Sequence, residues 1–348
     1  MNFFYLIFFI LFLHCYQTNQ FKIQKSFKLI NTKQLTFKGD NGEAYFSNIN
    51  NMLIFQSKRD ENKCDKIYTM TINGDNIKMI PQKNGAFTCS YFSLDDKKIF
   101  FSSTMQDGID CPEVYKDPNP RKYIWPLRNF DIYSQEGDIL KNLTSSYGYD
   151  AEATVHPIEK KIIFTSQRNG DIDLYEMDYE GNNLIRITNE FGYDGGAFYS
   201  PDGKKIVWRA WYPKTDKERL QWINNLKNNF IESVPLDIYI ANRNGSNKIR
   251  LTNNGATNWS PSWHPSGEYI VFSSNMDDWI EEYNSYGPNF ELYLMKIESG
   301  ELYRLTYNNT FDSFPVFSKD GKKIVYSSNR NAENPRQTNI FISDFIIE

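Results

Sequence analysis

The sequence predicts an all-β fold, a six-bladed β-propeller of four-stranded antiparallel blades. Three observations predict it. A strand–turn–strand frame recurs six times in 348 residues. Each frame is followed by further strand-like segments, giving a repeat of about 45 residues, sometimes lengthened. The last copy lacks its final strand, and a matching strand stands alone near the N-terminus.

The frame is plainest in FYSPDGKKIVW and VFSKDGKKIVY, anchored at Ser200 and Ser318. The other anchors are Ser47, Ser93, His156 and His264, and successive spacings are 46, 63, 44, 64 and 54 residues. An apolar first strand ends at each anchor, and a turn rich in Asp, Gly or Pro follows, as a hairpin requires. A second strand comes next, then a loop and a third strand: KIYTM, FDIYS, DLYEM, DIYIA, ELYLM and NIFIS. A Gly-bearing turn leads to a fourth strand ending in Leu-Thr or Ile-Thr. Alternation and β-branched and aromatic residues mark strands throughout. One such sheet cannot bury both faces alone, and ring closure protects its edges. The sixth unit stops after NIFISDF, so FKLINTKQLTF, Phe27–Phe37, is expected to pair with it and latch the ring.

Ahead of the repeats, Phe3–Leu13 form an unbroken apolar run. Its length suits the core of a secretory signal and is too short to span a bilayer. Residues 1–19 are therefore expected to be a signal peptide and 20–348 a single propeller domain; a buried strand is the alternative for the run. Cys15 follows where a lipoprotein signal would place its lipidated cysteine, although His14 is not the small residue that site prefers. Beyond it lie Cys64, Cys89 and Cys111, an odd number, so either one disulfide of unspecified pairing or none is expected. Net charge is −4, from 39 basic and 43 acidic residues with no basic block, which argues against nucleic acid as a partner.

The frames resemble the TolB-like β-propeller family, whose repeat runs through S-P-D-G-K, then D-I-Y, then L-T. Phe198–Trp208 and Val316–Arg330 match it closely, and the resemblance covers about residues 27–346; the first two units depart from it at the turn. It implies a propeller that binds a partner in the cell envelope. It does not imply the whole TolB role, because propellers host many functions.

Reading the repeat by column points to one mouth of the channel. Six residues before the anchor stand Asn41, Phe87, Asp150, Asp194, Asn258 and Asp312; four before it, Glu43, Cys89, Glu152, Gly196, Ser260 and Phe314. Twelve after it stand Arg59, Met105, Arg168, Tyr212, Met276 and Arg330. One reading is structural: the Asp and Asn residues cap turns and the arginines tie neighbouring blades. The other is a polar ring of Glu43, Arg59, Asp150, Glu152, Arg168, Asp194, Asn258, Trp259, Asp312 and Arg330 that binds a ligand. Insertions after the second strands of units two, four and five are expected over the same mouth. The second, TDKERLQWINNLKNNFIES, reads as a helix with a Thr215–Glu218 capping box and a stripe of Leu220, Ile223, Leu226 or Lys227, and Phe230.

His156 and His264 stand at anchors and read as turn residues. There is no metal-binding histidine cluster, H-E-x-x-H, G-x-S-x-G or phosphate loop. The expectation is an exported, periplasmic or secreted, monomeric binding module with no cofactor, metal or catalytic residue and no transmembrane span. Its partner would be an envelope protein or peptide, or a glycan. A hydrolase or lyase using Asp150 and Glu152 on carbohydrate is the alternative.

Overall fold

The computed structural model describes residues 26–49, 51–81, 84–113, 124–334 and 337–348. The apolar run, residues 1–19 and Cys15 lie outside the described residues. Six four-stranded antiparallel sheets form the six blades. Their first strands are Asp40–Phe46, Phe87–Phe92, Asp150–Val155, Tyr193–Tyr199, Asn258–Trp263 and Asp312–Phe317. Apart from Phe27–Gln34, the fourth strands are short, only two residues in Lys78–Met79, Ile185–Arg186 and Ile249–Arg250.

Both faces of a blade are buried. In Met52–Lys58, Leu53 and Phe55 pack with Val325 and Ile340 of blade six, while Ile54 packs with Phe87 and Phe101 of blade two. Successive side chains point to opposite faces, so an almost continuous apolar strand serves two interfaces. The latch forms as expected. Phe27–Gln34 pairs antiparallel with Asn339–Ile347, from Phe27 opposite Ile347 to Gln34 opposite Phe341. Phe27 sits among Tyr269, Tyr303 and Phe345, with ring centroids 4.5–5.9 Å away.

The repeated signatures have physical causes. The threonine of Leu-Thr holds the start of the third strand: Thr252 Oγ1 accepts from the Ile238 amide at 2.9 Å and donates to Asp237 at 2.9 Å. Arg250 closes the same bond set on Asp237 at 2.5 Å. Thr188 and Thr306 accept from Leu174 and Leu292 in the same way, and Thr36 accepts from Ile340 across the latch. At the opposite end of the blades, anchor Ser200 accepts from the Lys205 amide at 2.9 Å and donates to Asp202 at 2.6 Å. His156 is such a turn residue: Nδ1 accepts from the Ile158 and Glu159 amides, and Nε2 lies 3.2 Å from the Gly203 carbonyl of the next blade. A Cβ on Gly203, which also holds φ +70°, would strike that ring at 2.3 Å.

Two expectations are corrected. The capping box exists, Thr215 accepting from the Glu218 amide and Glu218 from the Thr215 amide, on the helix Asp216–Lys227. The predicted stripe is wrong, however: Leu220 and Ile223 are exposed, while Trp222, Asn225 and Leu226 are buried. Trp222 sets the rotation, because its Nε1 donates to the buried Asp171 at 2.8 Å. Phe230 is not helical; Phe230–Glu232 pairs with Ile124–Pro126 of the blade-two insertion. The arginines, in turn, tie their own blade and not its neighbours: Arg168 binds Asp150 at 2.9 Å and Arg330 binds Asp312 at 2.6 Å, each from the end of the second strand to the start of the first.

Candidate functional site

Every first strand slips register at one place. The bulge falls on the column four before the anchor. Glu43, Cys89, Glu152, Gly196, Ser260 and Phe314 all hold left-handed backbone, with φ between 49° and 62°. Left-handed backbone is unfavourable for the five that are not glycine. A bulge re-aims its side chain, and here the five side chains and the bare Gly196 all face the axial cavity.

Those six residues line a small cavity on the axis, together with Tyr45, Ala153, Thr154, Phe198 and Arg209. Its floor is aromatic: Tyr45 of blade one meets Tyr91 at 5.1 Å and Phe198 of blade four at 6.0 Å. Arg209 is the centre of charge. It is buried, pairs with Glu152, and lies 3.8 Å from the ring centroid of Trp259 and 5.6 Å from that of Trp125. A Cβ on Gly196 would overlap the guanidinium at 1.7 Å, so the bare bulge of blade four makes room for it. Burial works against the Arg209 charge, but Glu152 outweighs it and holds Arg209 firmly protonated. Glu152 also accepts from Thr165 at 2.8 Å.

Glu43 faces the same space without an arginine of its own. Burial pushes its carboxyl up to about 7, offset in part by a hydrogen bond with Cys89. Burial also raises the Cys89 thiol. The cavity measures about 30 Å³, room for one or two waters. A sugar or peptide side chain could enter only if the roof moved. Trp125, carried by the ribbon between two insertions, forms that roof, packing on Trp259 at 5.5 Å and Tyr149 at 6.0 Å.

The column six before the anchor is placed differently. Asp150, Asp194, Asp312, Asn41 and Asn258 are all buried. Asp150 accepts from Arg168 and Ser146, and Asp312 from Arg330 and Asn308. Asp194 accepts from Trp208 Nε1 and Tyr212, each at 2.6 Å; burial nonetheless lifts its carboxyl to about 6. Asn41 accepts from Arg59 at 2.6 Å, and Asn258 bonds Asn254 and the Leu236 carbonyl. Glu43 and Glu152 therefore come together in the axial cavity, and Trp259 stacks on Arg209 beside them. Asp150 with Arg168, Asp194, Asn258, Asp312 with Arg330, and Arg59 stay in separate blades. Arg209 was missed. It stands nine residues after its anchor, where the other units carry Gln56, Ser102, Thr165, Ser273 and Ser327, and that outlier was legible.

The outer surface of the mouth is aromatic. Among the described residues, the strongly exposed large aromatics are Phe37, Tyr147, Trp279, Tyr283 and Tyr307. Phe37, Tyr147 and Tyr307 lie in links from a fourth strand to the next first strand; Trp279 and Tyr283 lie in the blade-five insertion. All five are on the mouth face. The blade-five insertion adds Asp277, Asp278, Glu281 and Glu282. No group of histidine, cysteine and carboxylate side chains among the described residues could hold a metal, and no helix there is long and apolar enough to cross a membrane.

This geometry defines a six-bladed β-propeller with a roofed axial cavity and an aromatic mouth. Comparison with known proteins finds similarity to TolB. The Tol-Pal system protein TolB of Francisella tularensis is 32% identical over 109 residues, covering 30% of this chain and 22% of that protein. The chain thus spans about a fifth of the length of the curated relatives it matches. An Agrobacterium tumefaciens structure assigned to TolB superposes with TM-score 0.58 at 17% identity, covering 88% of this chain and 91% of that one. TolB from Acinetobacter baumannii gives 0.55 at 18%, covering 88% and 63%. An oligogalacturonate lyase in complex with manganese gives 0.51 at 13%, covering 92% and 96%. At these identities the structures share the fold alone. No family model matches the chain.

Proposed function

We propose that this chain is an exported binding module that takes a protein or peptide partner on its aromatic mouth. One observation carries the reading: among the described residues, the exposed large aromatics all stand on one face of the ring. Aromatic residues are enriched at protein interfaces and dominate their energetics, and propeller loops are free to carry function on a rigid scaffold. The similarity to TolB supports the same reading and an envelope location. The acidic residues beside Trp279 favour a segment with basic and apolar side chains. Sequence-predicted Glu43 and Glu152 line the axial cavity beneath that face, Trp259 stacks on Arg209 beside them, and the Asp–Arg pairs keep the first strands in place under it.

The carbohydrate-enzyme reading has less support. Asp150 and Glu152 are each held by an arginine, and the axial cavity has no room for a sugar ring. A thermal-shift screen of the full chain against peptide pools and oligosaccharides separates the two. Ligands of the folded state raise the midpoint by mass action. The expected result is a shift with basic-aromatic peptides that is lost in Trp279→Ala and Tyr307→Ala. Turnover or stabilisation by a saccharide alone would overturn the proposal.

A further inference from the structure

Two of the three described cysteines meet at the mouth. Cys64 ends the loop between the second and third strands of blade one, and Cys111 lies in the insertion of blade two. The Cys64 thiol donates to the Gly85 and Asp110 carbonyls, each at 3.5 Å, and the Gly85 amide donates to the Asp110 carbonyl at 3.0 Å. These contacts place Cys111, next in sequence to Asp110, beside the Cys64 thiol. Both sulfurs pack in one apolar cluster with Trp125. Cys89 is elsewhere, in the axial cavity, with its sulfur 3.3 Å from Thr88 Oγ1.

We propose that Cys64 and Cys111 form a disulfide that clamps the root of the blade-two insertion to blade one. The insertion carries Trp125, so the clamp would hold one end of the roof over the axial cavity. Cys111 is half-buried and Cys64 buried, so Cys111 is the sulfur an oxidant reaches first. Burial pushes the Cys64 thiol up to about 12, which keeps it from starting the exchange. The oxidant is a disulfide, either that of a thiol–disulfide oxidoreductase or oxidised glutathione. The Cys111 thiolate attacks one sulfur and releases the first thiolate. Cys64 loses its proton, attacks the Cys111 sulfur of the mixed disulfide and releases the second. The protein gives up two protons and two electrons, and the reagent becomes two thiols.

The test is peptide mapping of the full chain after incubation with oxidised and reduced glutathione, trapped by alkylation and digested without reductant. The expected product is one cross-linked pair containing Cys64 and Cys111, with Cys89 alkylated as a thiol. Oxidation should also raise the melting midpoint, on the order of 5 °C for a closed loop of this length in a chain of this size. The rise should vanish in Cys111→Ser and survive in Cys89→Ser. Full alkylation of both thiols after incubation, or a cross-link that contains Cys89, would overturn the proposal. The mapping of the unaltered chain decides even if a serine variant fails to fold.

Discussion

Changing Glu152 to Gln tests the axial ion pair directly. Arg209 is 3% exposed, and its only ion-pair partner among the described residues is Glu152. Removing one partner of a buried pair costs about 3–5 kcal/mol, because the other charge stays buried and unpaired. Here the low end applies. The Gln amide oxygen still accepts a hydrogen bond, and the guanidinium keeps the Trp259 ring at 3.8 Å. The expected loss is about 3 kcal/mol. With a urea slope near 3 kcal/mol/M, that moves the unfolding midpoint down by about 1 M. Tryptophan fluorescence reports it, since Trp125 and Trp259 both lie over the pair. The double variant Glu152→Gln with Arg209→Met should recover most of the loss, because an apolar pair can replace a buried ionic one at little cost. A midpoint within about 0.2 M of the parent for Glu152→Gln, or strictly additive losses in the double variant, would refute this account of Arg209.

Other outcomes follow from the same structure. Burial pushes the Glu43 carboxyl from 4.5 up to about 7, so the folded state holds its proton over that window. Stability from this group is fully present below 4.5 and is lost as pH rises through 7, by about 3 kcal/mol in all; the unfolding free energies from urea at pH 5 and 8 should differ by about 2.5 kcal/mol less in Glu43→Gln than in the parent. Removing residues through Thr36 deletes the buried Phe27, Leu35 and Thr36 and bares the edge of Asn339–Ile347. The loss should be roughly 5 kcal/mol, with aggregation visible by light scattering, and an unchanged melting midpoint would contradict the latch. Thr215→Ala removes the capping bond to the Glu218 amide and should lower stability by about 1 kcal/mol in the same urea assay.

The blade count, the strand order and the latch were legible because each rests on a repeated local pattern. Alternation with Gly and Asp turns fixes a hairpin wherever it occurs, and a missing strand at one terminus calls for one at the other. The columns were legible as positions but not as roles. Asp150 and Arg168 recur 18 residues apart because they are partners within one blade, a fact that only the pairing of first and second strands reveals. The bulge hid the rest. It turns Glu43, Glu152 and Ser260 to the axis with left-handed backbone, and nothing in Glu or Ser announces such backbone as Gly would. The helix stripe failed for a different reason: one hydrogen bond from Trp222 to buried Asp171 outweighed the apolar periodicity of Leu220 and Ile223.

The claim that the aromatic mouth is the binding face is most directly tested by hydrogen exchange of the full chain, with and without the tightest peptide selected from a random library. Binding at the mouth predicts slowed exchange in residues 143–149, 275–290 and 305–311, with no change in the turns at 156–161 and 200–205 on the opposite face. Protection confined to those turns, or to the outer strands, would contradict it.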